Sequence, residues 1–283
     1  MPDAHTFLLG LIGHPLGHTL SPRLHRSALA HAGLDGVYLA LPTPSERVED
    51  AVRAVRAWRI RGLNVTLPHK EAVIPLLDDL TSRARRVGAV NTLFWDGDRL
   101  VGDNTDTAGF EALIEGLPVA GRKVLVLGAG GSARAVADVL GEQGAREVVF
   151  AVRREGASRD LVESFARAFG ATCYREIPWE ALAEHLGEAA LVVNTTPVGM
   201  YPDGDRSPLS PEQVDLLGAG SAVVDLVYRP AATRLVQDAR ARGLTARSGL
   251  VMLAAQASAA FERWTGARVP LEVWLGALDE TRG

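Results

Sequence analysis

The run Lys123-Val-Leu-Val-Leu-Gly-Ala-Gly-Gly-Ser-Ala133 decides the fold of the central part of this 283-residue chain. Residues 124–127 are uninterrupted apolar residues, which is typical of a strand buried on both faces of a parallel sheet. Residues 128–133 then fit the motif G-x-G-x-x-G/A, in which a tight turn leads from a strand into a helix. Because the first turn of such a helix carries free N–H groups and a positive dipole end, it can bind phosphate. We predict a dinucleotide site here; the alternative is a glycine-rich turn without a ligand.

Each specified position in that motif has a physical role. Gly128 permits the tight turn, Gly130 lets a pyrophosphate approach the backbone, and Ala133 allows the helix to pack closely on the strand. The predicted cofactor-binding run is completed by Ala129, Gly131 and Ser132.

The end of the next predicted strand indicates which dinucleotide is bound. An NAD site usually carries Asp or Glu there, about 20 residues after the glycines, to bind the ribose hydroxyls. Here the strand ends in Arg153 and Arg154, followed by Glu155 and then Arg159. Since a guanidinium pairs bidentately with phosphate oxygens, we predict that Arg153 and Arg154 bind the 2′-phosphate of NADP. The alternative is that these arginines are solvated and only begin a loop.

Apolar runs alternate with helical patterns along most of the chain, which predicts an α/β protein. Strands are predicted at 123–127, 148–152, 191–193 and 222–226, so that residues 107–240 form one doubly wound Rossmann-type domain. Residues 1–106 plus 241–283 are predicted to form a second α/β domain, completed by C-terminal helices at about 250–264 and 271–278.

Local signals place the elements of the N-terminal domain. Strands are predicted at 7–12, 37–41 and 60–65, and Asp96-Gly97 predicts a β-hairpin. Ser21 is predicted to cap a helix that ends at Gly33. Thr43, Pro44 and Glu46 predict a capping box that opens a helix to about residue 58.

Composition excludes several classes of function. A hydrophobic content of 47% is compatible with two cores, and the net charge of −4 argues against a nucleic-acid partner. Cys173 is the only cysteine, which favours a reducing, cytoplasmic location. No signal peptide or membrane span is predicted.

His14, His18 and His25 lack a metal-binding motif, so no metal is expected. The oligomeric state is left open between a monomer and a homodimer.

Lys70 and Asp106 are the candidate catalytic residues. Each follows an apolar segment and lies among turn-forming residues, a placement that displays polar groups to a ligand. An amine and a carboxylate displayed together can transfer a proton. The alternative is an ordinary surface ion pair.

Ordered motifs make the chain resemble the shikimate dehydrogenase family from Gly13 to Gly266. The matching runs are 18–22 (His-Thr-Leu-Ser-Pro), 64–70 (Asn-Val-Thr-Leu-Pro-His-Lys), 88–92 (Gly-Ala-Val-Asn-Thr), 104–106 (Asn-Thr-Asp), 194–200 (Asn-Thr-Thr-Pro-Val-Gly-Met), 225–228 (Asp-Leu-Val-Tyr) and 256–257 (Gln-Ala). The resemblance implies a substrate domain, an NADP-binding Rossmann domain, and reduction of 3-dehydroshikimate to shikimate. It also implies that Lys70 and Asp106 flank the ketone oxygen; which of the two exchanges the proton is left open.

The resemblance further implies roles for residues around this pair. The substrate carboxylate would be bound by Thr19, Ser21 and Tyr228, although Ser21 could be only a helix cap. The ring hydroxyls would be bound by Asn64, Thr66, Asn91 and Gln256. Gly199 and Met200 would line the nicotinamide pocket, although Met200 could be core packing; Thr195, Pro197, Gly249 and Met252 are assigned to the cofactor as well.

Two departures from the family pattern leave alternatives open. Thr19 stands where the family has serine, which leaves the choice between shikimate and quinate open. Val152-Arg153-Arg154 stands where the family usually has Asn-Arg-Thr. A quinate/shikimate or aminoshikimate dehydrogenase is therefore an alternative, and a non-catalytic dinucleotide-binding regulator is an alternative of another class.

Overall fold

The computed structural model describes residues 3–17 and 19–279; His18 of the first motif lies outside the described residues. The chain divides into two compact units, Met1–Gly109 with Ala254–Gly283 (the first unit) and Phe110–Leu253 (the second unit). The ranges predicted from the sequence, 1–106 plus 241–283 and 107–240, follow the same order with different limits. Their assignment to substrate and cofactor stays a prediction.

The first unit contains a mixed sheet. Its order is β2-β1-β3-β5-β6-β4, with β1 parallel to β2 and β3, and with β5 antiparallel to β3 and β6. The elements from residue 7 to residue 114 are β1 (Phe7–Gly13), α1 (Ser21–Ala32), β2 (Gly36–Pro42), α2 (Val48–Ala57), β3 (Gly62–Val65), β4 (Asp79–Leu80), α3 (Ser82–Val87), β5 (Thr92–Asp96), β6 (Arg99–Asp103) and α4 (Asp106–Ile114). The antiparallel pairing of β5 with β6 confirms the predicted hairpin.

Two predicted helix starts are wrong. Ser21 is the first helical residue rather than the cap, because its own N–H donates to the hydroxyl of Thr19 (3.3 Å), two residues earlier in the chain. Thr43 makes no capping box, because its hydroxyl donates back to the carbonyl of Leu41 (2.9 Å). A 3₁₀ turn, Ser45–Arg47, precedes α2 instead. The predicted stop at Gly33 is confirmed by its φ of 64°.

The second unit contains a fully parallel sheet with helices between its strands. The elements are β7 (Lys123–Leu127), α5 (Gly131–Glu142), β8 (Glu147–Val152), α6 (Arg159–Ala168), β9 (Cys173–Pro178), α7 (Ala183–Leu186), β10 (Leu191–Asn194), α8 (Pro211–Asp215), β11 (Ala222–Asp225), α9 (Arg234–Ala241) and β12 (Thr245–Ser248). Then follow α10 (Leu250–Thr265), which begins in the second unit and continues in the first, and α11 (Leu271–Asp279), which belongs to the first unit. The strand order is β12-β11-β10-β7-β8-β9, which is the doubly wound dinucleotide-binding order. The predicted fold class is confirmed.

The edge strands β9 and β12 are missing from the sequence-based prediction. Their sequences, Cys-Tyr-Arg-Glu-Ile-Pro and Thr-Ala-Arg-Ser, interrupt apolar residues with charged ones, as edge strands commonly do. Since β12 pairs with β11, residues 245–248 belong to the second sheet, although the predicted substrate range 241–283 includes them.

Alternate residues of β7 pack in different cores. Val124 and Val126 belong to the cluster that includes the apolar face of α5, whereas Leu125 and Leu127 belong to the cluster that includes Leu235 and Val236 of α9. All four of these residues are fully buried. Each buried Leu or Val side chain contributes roughly 1.5–3 kcal/mol, so this strand is fixed from both faces. The glycine turn that follows it therefore starts from a rigid support.

The C-terminal helices complete the first unit. The indole Nε1 of Trp264, on α10, donates to the carbonyl of Leu93 in β5 (2.8 Å). Trp264 also lies directly over Gly62, where any side chain would collide with its ring. Trp274 of α11 is fully buried against His25 of α1, with ring centroids 5.2 Å apart. Within residues 3–17 and 19–279, no helix is long and apolar enough to cross a membrane.

Buried His25 makes the stability of the first unit pH-dependent. Its ring stacks on Tyr38 with centroids 4.1 Å apart, and burial lowers its pKa from 6.5 to about 3. Between these two pH values the unfolded chain binds a proton at this histidine that the folded chain does not. The free energy of unfolding should therefore fall as the pH decreases, by up to about 1.4 kcal/mol per pH unit from this group.

His25→Phe should flatten this dependence, because it removes the titrating group and keeps a flat ring. The matched control is His31→Phe, which changes an exposed histidine of the same helix. Urea unfolding of the three proteins from about pH 5 to about pH 7 measures the slope. Equal slopes in wild type and His25→Phe would contradict the assignment.

Candidate active site

Lys70 and Asp106 form a close ion pair in the first unit. Lys70 lies in the turns that follow β3, and Asp106 is the first residue of α4. Lys70 Nζ lies 2.6 Å from Asp106 Oδ2, and the side chains are 15% and 11% exposed. The alternative of an ordinary surface pair is not supported, because both groups are largely covered. The exposed remainder leaves the pair accessible to a small ligand.

Asn91 fixes the carboxylate of this pair. Its Nδ2 donates to Asp106 Oδ1 (2.8 Å), and its Oδ1 accepts the N–H of Thr105 (2.7 Å). Its backbone carbonyl accepts the N–H of Val65 (2.8 Å), and its own N–H donates to the carbonyl of Asp103 (3.0 Å). One residue, 3% exposed, thus joins the end of β3 to the start of α4. Asp106 is oriented by Asn91 at one oxygen and by Lys70 at the other.

The turn that carries Lys70 is held by a histidine that the sequence analysis did not identify. The Nε2 of His69, which is 1% exposed, lies 2.7 Å from the carbonyl of Thr43. The N–H of His69 donates to the carbonyl of Thr66 (2.9 Å), and the carbonyl of Lys70 accepts the N–H of Val90 (2.8 Å). These bonds fix the backbone on both sides of the lysine. The position of His69 directly before Lys70 is the only local signal of this role.

Hydroxyl groups lie at the N-terminus of α1. Thr19 Oγ1 donates to Ser21 Oγ (3.2 Å), and both side chains are half-buried. Hydroxyls beside a helix N-terminus suit an anion. Thr66, at the end of β3, is also half-buried, and its hydroxyl makes no hydrogen bond with any described residue. It is thus available to a ligand.

Asn64 has internal partners on both sides of its amide. Its Oδ1 accepts the hydroxyl of Tyr38 (2.7 Å), and its Nδ2 donates to Asn91 O (3.2 Å) and Thr92 Oγ1 (3.3 Å). Both amide hydrogens are therefore used inside the protein. Gln256, the other amide predicted to bind ring hydroxyls, is half-buried on α10. Tyr38 was not identified from the sequence, because nothing in its own strand indicates a contact with Asn64.

The glycine turn of the second unit has the geometry that a pyrophosphate site needs. Gly128 has a φ of +93°, and a Cβ there would lie 2.9 Å from Thr196 Cγ2. Around Gly130 and Gly131 a Cβ would meet no atom within 4 Å, so the space beside the helix start is open. Ala133 is fully buried, as close packing of α5 on the sheet requires. Ala129 is half-buried in the turn, and Ser132 is in the first turn of α5.

Arg153 and Arg154 follow β8 and are both exposed. The loop after them is held by Glu176 of β9, which accepts the N–H of Gly156 (2.6 Å) and both the N–H (2.7 Å) and the hydroxyl (2.5 Å) of Ser158. Burial alone would raise the pKa of the Glu176 carboxyl, but these hydrogen bonds outweigh it and hold the pKa below its usual range. The predicted phosphate-binding arginines thus lie on a fixed loop.

The segment after β10 packs against the glycine turn. The N–H and the hydroxyl of Thr195 both donate to the carbonyl of Leu127 (3.0 and 2.8 Å). Pro197 accepts the N–H of Met200 (3.1 Å) at its carbonyl, and Gly199 has a φ of +90°. Met200 is 47% exposed, so it is not core packing. This segment is positioned to meet a ligand bound at the glycines.

Three other predicted residues lie elsewhere in the second unit. A Cβ at Gly249 would lie 2.2 Å from the carbonyl oxygen of Leu226, so this position requires glycine. Met252 is 8% exposed and belongs to the hydrophobic core, which leaves little of it for a cofactor. Tyr228 is half-buried after β11, where burial raises the pKa of its phenol. Tyr228 belongs to the second unit, whereas Thr19 and Ser21, the other predicted carboxylate contacts, belong to the first.

Metal chemistry finds no support in the described part of the chain. No group of three His, Cys, Asp or Glu side chains that could hold a metal ion occurs there. His14 and His25, two of the histidines clustered in the sequence, lie in different surroundings: His14 is exposed and His25 is fully buried.

Comparisons with known proteins identify the family. Residues 11–93 match the shikimate dehydrogenase substrate binding domain, and residues 249–278 match the shikimate 5′-dehydrogenase C-terminal domain. The shikimate dehydrogenase (NADP(+)) of Symbiobacterium thermophilum is 45% identical over 272 residues, covering 94% of this chain and 91% of the relative.

Solved structures of similar fold belong to dehydrogenases of the same kind. The shikimate 5-dehydrogenase of Thermus thermophilus, in complex with NADP(H) and shikimate, has a TM-score of 0.86 and 40% identity, with 97% of this chain and 99% of that chain covered. The quinate dehydrogenase of Corynebacterium glutamicum, in complex with NAD, has a TM-score of 0.89 and 31% identity, covering 97% and 99%. With matching motifs, domain order and near-complete coverage, the chain belongs to the shikimate dehydrogenase family.

Proposed function

We propose that this chain is an NADP-dependent shikimate dehydrogenase that reversibly reduces 3-dehydroshikimate to shikimate, a step of chorismate and aromatic amino acid biosynthesis. The observation that carries the proposal is the largely buried Lys70–Asp106 pair, with Nζ and Oδ2 2.6 Å apart. It occurs in a chain that is 40% identical to an enzyme solved with both NADP(H) and shikimate. The lone, exposed Cys173 fits a reducing cytoplasm.

The residues present fit NADP. The open space at Gly130 and Gly131 admits a pyrophosphate to the start of α5, and the exposed Arg153 and Arg154 supply guanidinium groups for the 2′-phosphate. NADPH, when bound, supplies the hydride that reduces the ketone carbon. Thr195 fixes the segment 195–200 against the glycine turn, so that Met200 projects where a nicotinamide can be covered.

The ketone oxygen must gain a proton as the carbon is reduced. Lys70 is the donor, because an ammonium group both stabilises the developing alkoxide and supplies a proton. Asp106 keeps the lysine oriented and accepts a hydrogen bond from a substrate hydroxyl. Asn91 prevents the carboxylate from rotating away, through its 2.8 Å bond to Oδ1. In the reverse direction, the same pair removes the proton from shikimate.

The rest of the first unit binds the polar substituents. Thr19 and Ser21 bind the carboxylate at the start of α1, where the helix dipole favours an anion. The free hydroxyl of Thr66 and the amide of Gln256 bind ring hydroxyls. Asn64 stabilises the protein around this site, since its amide hydrogens are already donated to Asn91 and Thr92.

Quinate is the second candidate substrate, favoured by the likeness to a quinate dehydrogenase; Thr19, in place of the family's serine, leaves the choice between the two open. Steady-state assays at the nicotinamide absorbance band, with shikimate and quinate and with NADP and NAD, separate the possibilities. We expect the highest kcat/KM with shikimate and NADP. Turnover of quinate alone would favour the second candidate, and nucleotide binding without any turnover would favour a non-catalytic regulator.

Lys70→Ala should reduce kcat by about 10²- to 10⁴-fold, the usual contribution of a general acid. The affinity for NADPH, measured by fluorescence titration, should stay within about twofold, because Lys70 acts on the substrate and not on the nucleotide. Equal losses of kcat and NADPH affinity would show that this lysine belongs to the cofactor site. An unchanged melting temperature is the control for folding.

Gly130→Ala tests the cofactor site without disturbing the fold. A Cβ there meets no protein atom within 4 Å, so the melting temperature should not change. It would occupy the space that the pyrophosphate needs. We expect the affinity for NADPH to fall at least about tenfold, which corresponds to about 1.4 kcal/mol of binding free energy. Gly170→Ala, in the turn after α6, is the matched control, since its Cβ is equally unobstructed. Unchanged NADPH affinity in Gly130→Ala would contradict the assignment.

A further inference from the structure

A fully buried carboxylate lies at the carboxyl ends of two inner strands of the second sheet. Asp225 is the last residue of β11, and its partner in the parallel register is Asn194, the last residue of β10. Both side chains are completely covered. The next strand, β7, ends at Leu127, directly before the glycine turn. Asp225 begins the run Asp-Leu-Val-Tyr at 225–228, in which only Tyr228 has a predicted role.

Hydrogen-bond donors satisfy both oxygens of the Asp225 carboxylate. Oδ1 accepts Asn194 Nδ2 (2.9 Å) and the N–H of Val227 (3.0 Å), whereas Oδ2 accepts the hydroxyl of Thr233 (2.6 Å). A buried carboxylate is costly unless such donors satisfy it. Burial raises the pKa of this carboxyl, and the hydrogen bonds act in the opposite direction. Asp225 therefore joins groups from β10, from the segment after β11 and from the start of α9.

Asn194 connects Asp225 to the segment after β10. Its Oδ1 accepts the N–H (3.0 Å) and the hydroxyl (2.7 Å) of Thr196, and its Nδ2 also donates to the carbonyl of Val198 (3.4 Å). Thr196 Oγ1 in turn accepts the N–H of Val198 (3.3 Å). The methyl group of Thr196 lies against Gly128, 2.9 Å from the position of a Cβ there. Asn194 thus fixes the start of this segment beside the glycine turn.

The directions of these hydrogen bonds show what is required of residue 225. The N–H of Thr196 can only donate, so the Asn194 atom that faces it is the oxygen, and the NH₂ group of Asn194 faces Asp225. The N–H of Val227 is also only a donor. Oδ1 of Asp225 must therefore accept both hydrogens. The hydroxyl of Thr233, by contrast, can rotate and can accept as well as donate.

We propose that Asp225 is a positioning residue for the nicotinamide end of the cofactor: its Oδ1 orients Asn194, and Asn194 holds the segment 195–200 in the place where that segment meets the nicotinamide. The proposal rests on the proposed function, since it takes NADP to be the ligand of the second unit. Without an acceptor at residue 225, the amide of Asn194 loses a buried partner and is free to rotate. Binding of the nicotinamide end then weakens, whereas the 2′-phosphate end, assigned to Arg153 and Arg154, keeps its contacts.

Asp225→Leu is the direct test, because leucine keeps the branched shape and has no acceptor. NADPH and 2′,5′-ADP are the two probes: both carry a 2′-phosphate, and only NADPH carries a nicotinamide. We expect the dissociation constant of NADPH, from fluorescence titration, to rise about tenfold, and that of 2′,5′-ADP, from calorimetry, to change less than about twofold. Equal losses for the two probes would make Asp225 a structural residue only and would overturn the proposal.

Asp225→Asn is the conservative variant. Its side-chain oxygen can accept the hydrogens of Asn194 and Val227, and its NH₂ group can donate to the hydroxyl of Thr233, so NADPH affinity should stay within about twofold of wild type. Thr233→Val is the matched control, because it removes the donor at Oδ2 and the cap of α9. It should lower the melting temperature and change NADPH affinity less than about twofold. A loss of NADPH affinity in either variant as large as that in Asp225→Leu would overturn the role of Oδ1.

Two further variants test the connection through Asn194. In an Asn194→Leu background, Asp225→Leu should add less than about twofold to the loss of NADPH affinity, because its partner is already gone. Losses that multiply fully would overturn the proposal. If Asp225→Leu does not fold, Thr196→Val removes the hydroxyl that donates to Asn194 and keeps the methyl group beside Gly128. It should weaken NADPH binding about threefold and leave 2′,5′-ADP binding unchanged; no loss, or equal losses, would contradict the proposal.

Measurements on the wild-type protein separate this proposal from the proposed function. Absence of NADPH binding would overturn the cofactor assignment and the role of Asp225 together. NADPH binding without turnover of shikimate would overturn the proposed activity alone, because the titrations of the Asp225 variants need no turnover. NADPH binding that is equally tight in wild type and Asp225→Leu would overturn the role of Asp225 alone.

Discussion

The hydrogen bonds of Asn91 are the interaction on which the catalytic geometry depends. Through its backbone Asn91 bonds to β3 and β6, and through its side chain to the start of α4 and to Asp106. Each of these polar groups is buried, and a buried group left without a partner costs roughly 1–3 kcal/mol. Any other conformation of Asn91 would leave some of these groups unpaired and would lower the free energy of unfolding. Lys70 and Asp106 come from segments 36 residues apart, and it is this residue that keeps the carboxylate at the lysine.

The candidate sites of the two units are built by opposite means. In the second unit an apolar parallel sheet fixes a turn of bare backbone, and glycine leaves the space beside α5 open. In the first unit hydrogen bonds among buried side chains fix the directions of Asn64, Asn91 and Asp106. A nucleotide phosphate is bound well by backbone N–H groups. A ring with a carboxylate, a ketone and hydroxyls requires donors and acceptors at specific places.

Local sequence patterns predict the second unit well and the network of the first unit poorly. The apolar run before Gly128 and the glycines themselves predict the strand, the turn and the start of the helix within a dozen residues. Tyr38 and His69 act through contacts with Asn64 and Thr43, which are distant in sequence, so no periodicity or motif indicates them. Glu176 lies on the edge strand β9, which was not predicted because charged residues interrupt its apolar pattern. The false cap at Ser21 has a similar origin: the pattern Ser-Pro is right for a helix start, but the Thr19 hydroxyl accepts the N–H of Ser21.

Lys70 and Asp106 are proposed to act as one unit, and a double-mutant cycle in kcat is the sharpest test of that coupling. The rates of Lys70→Ala, Asp106→Ala and the double variant are compared with wild type, with shikimate and NADP both saturating. Residues that act together lose most of their effect when either is removed. If the pair acts as one unit, the double variant should be slower than the slower single variant by no more than about threefold. Losses that multiply across the two substitutions would contradict it.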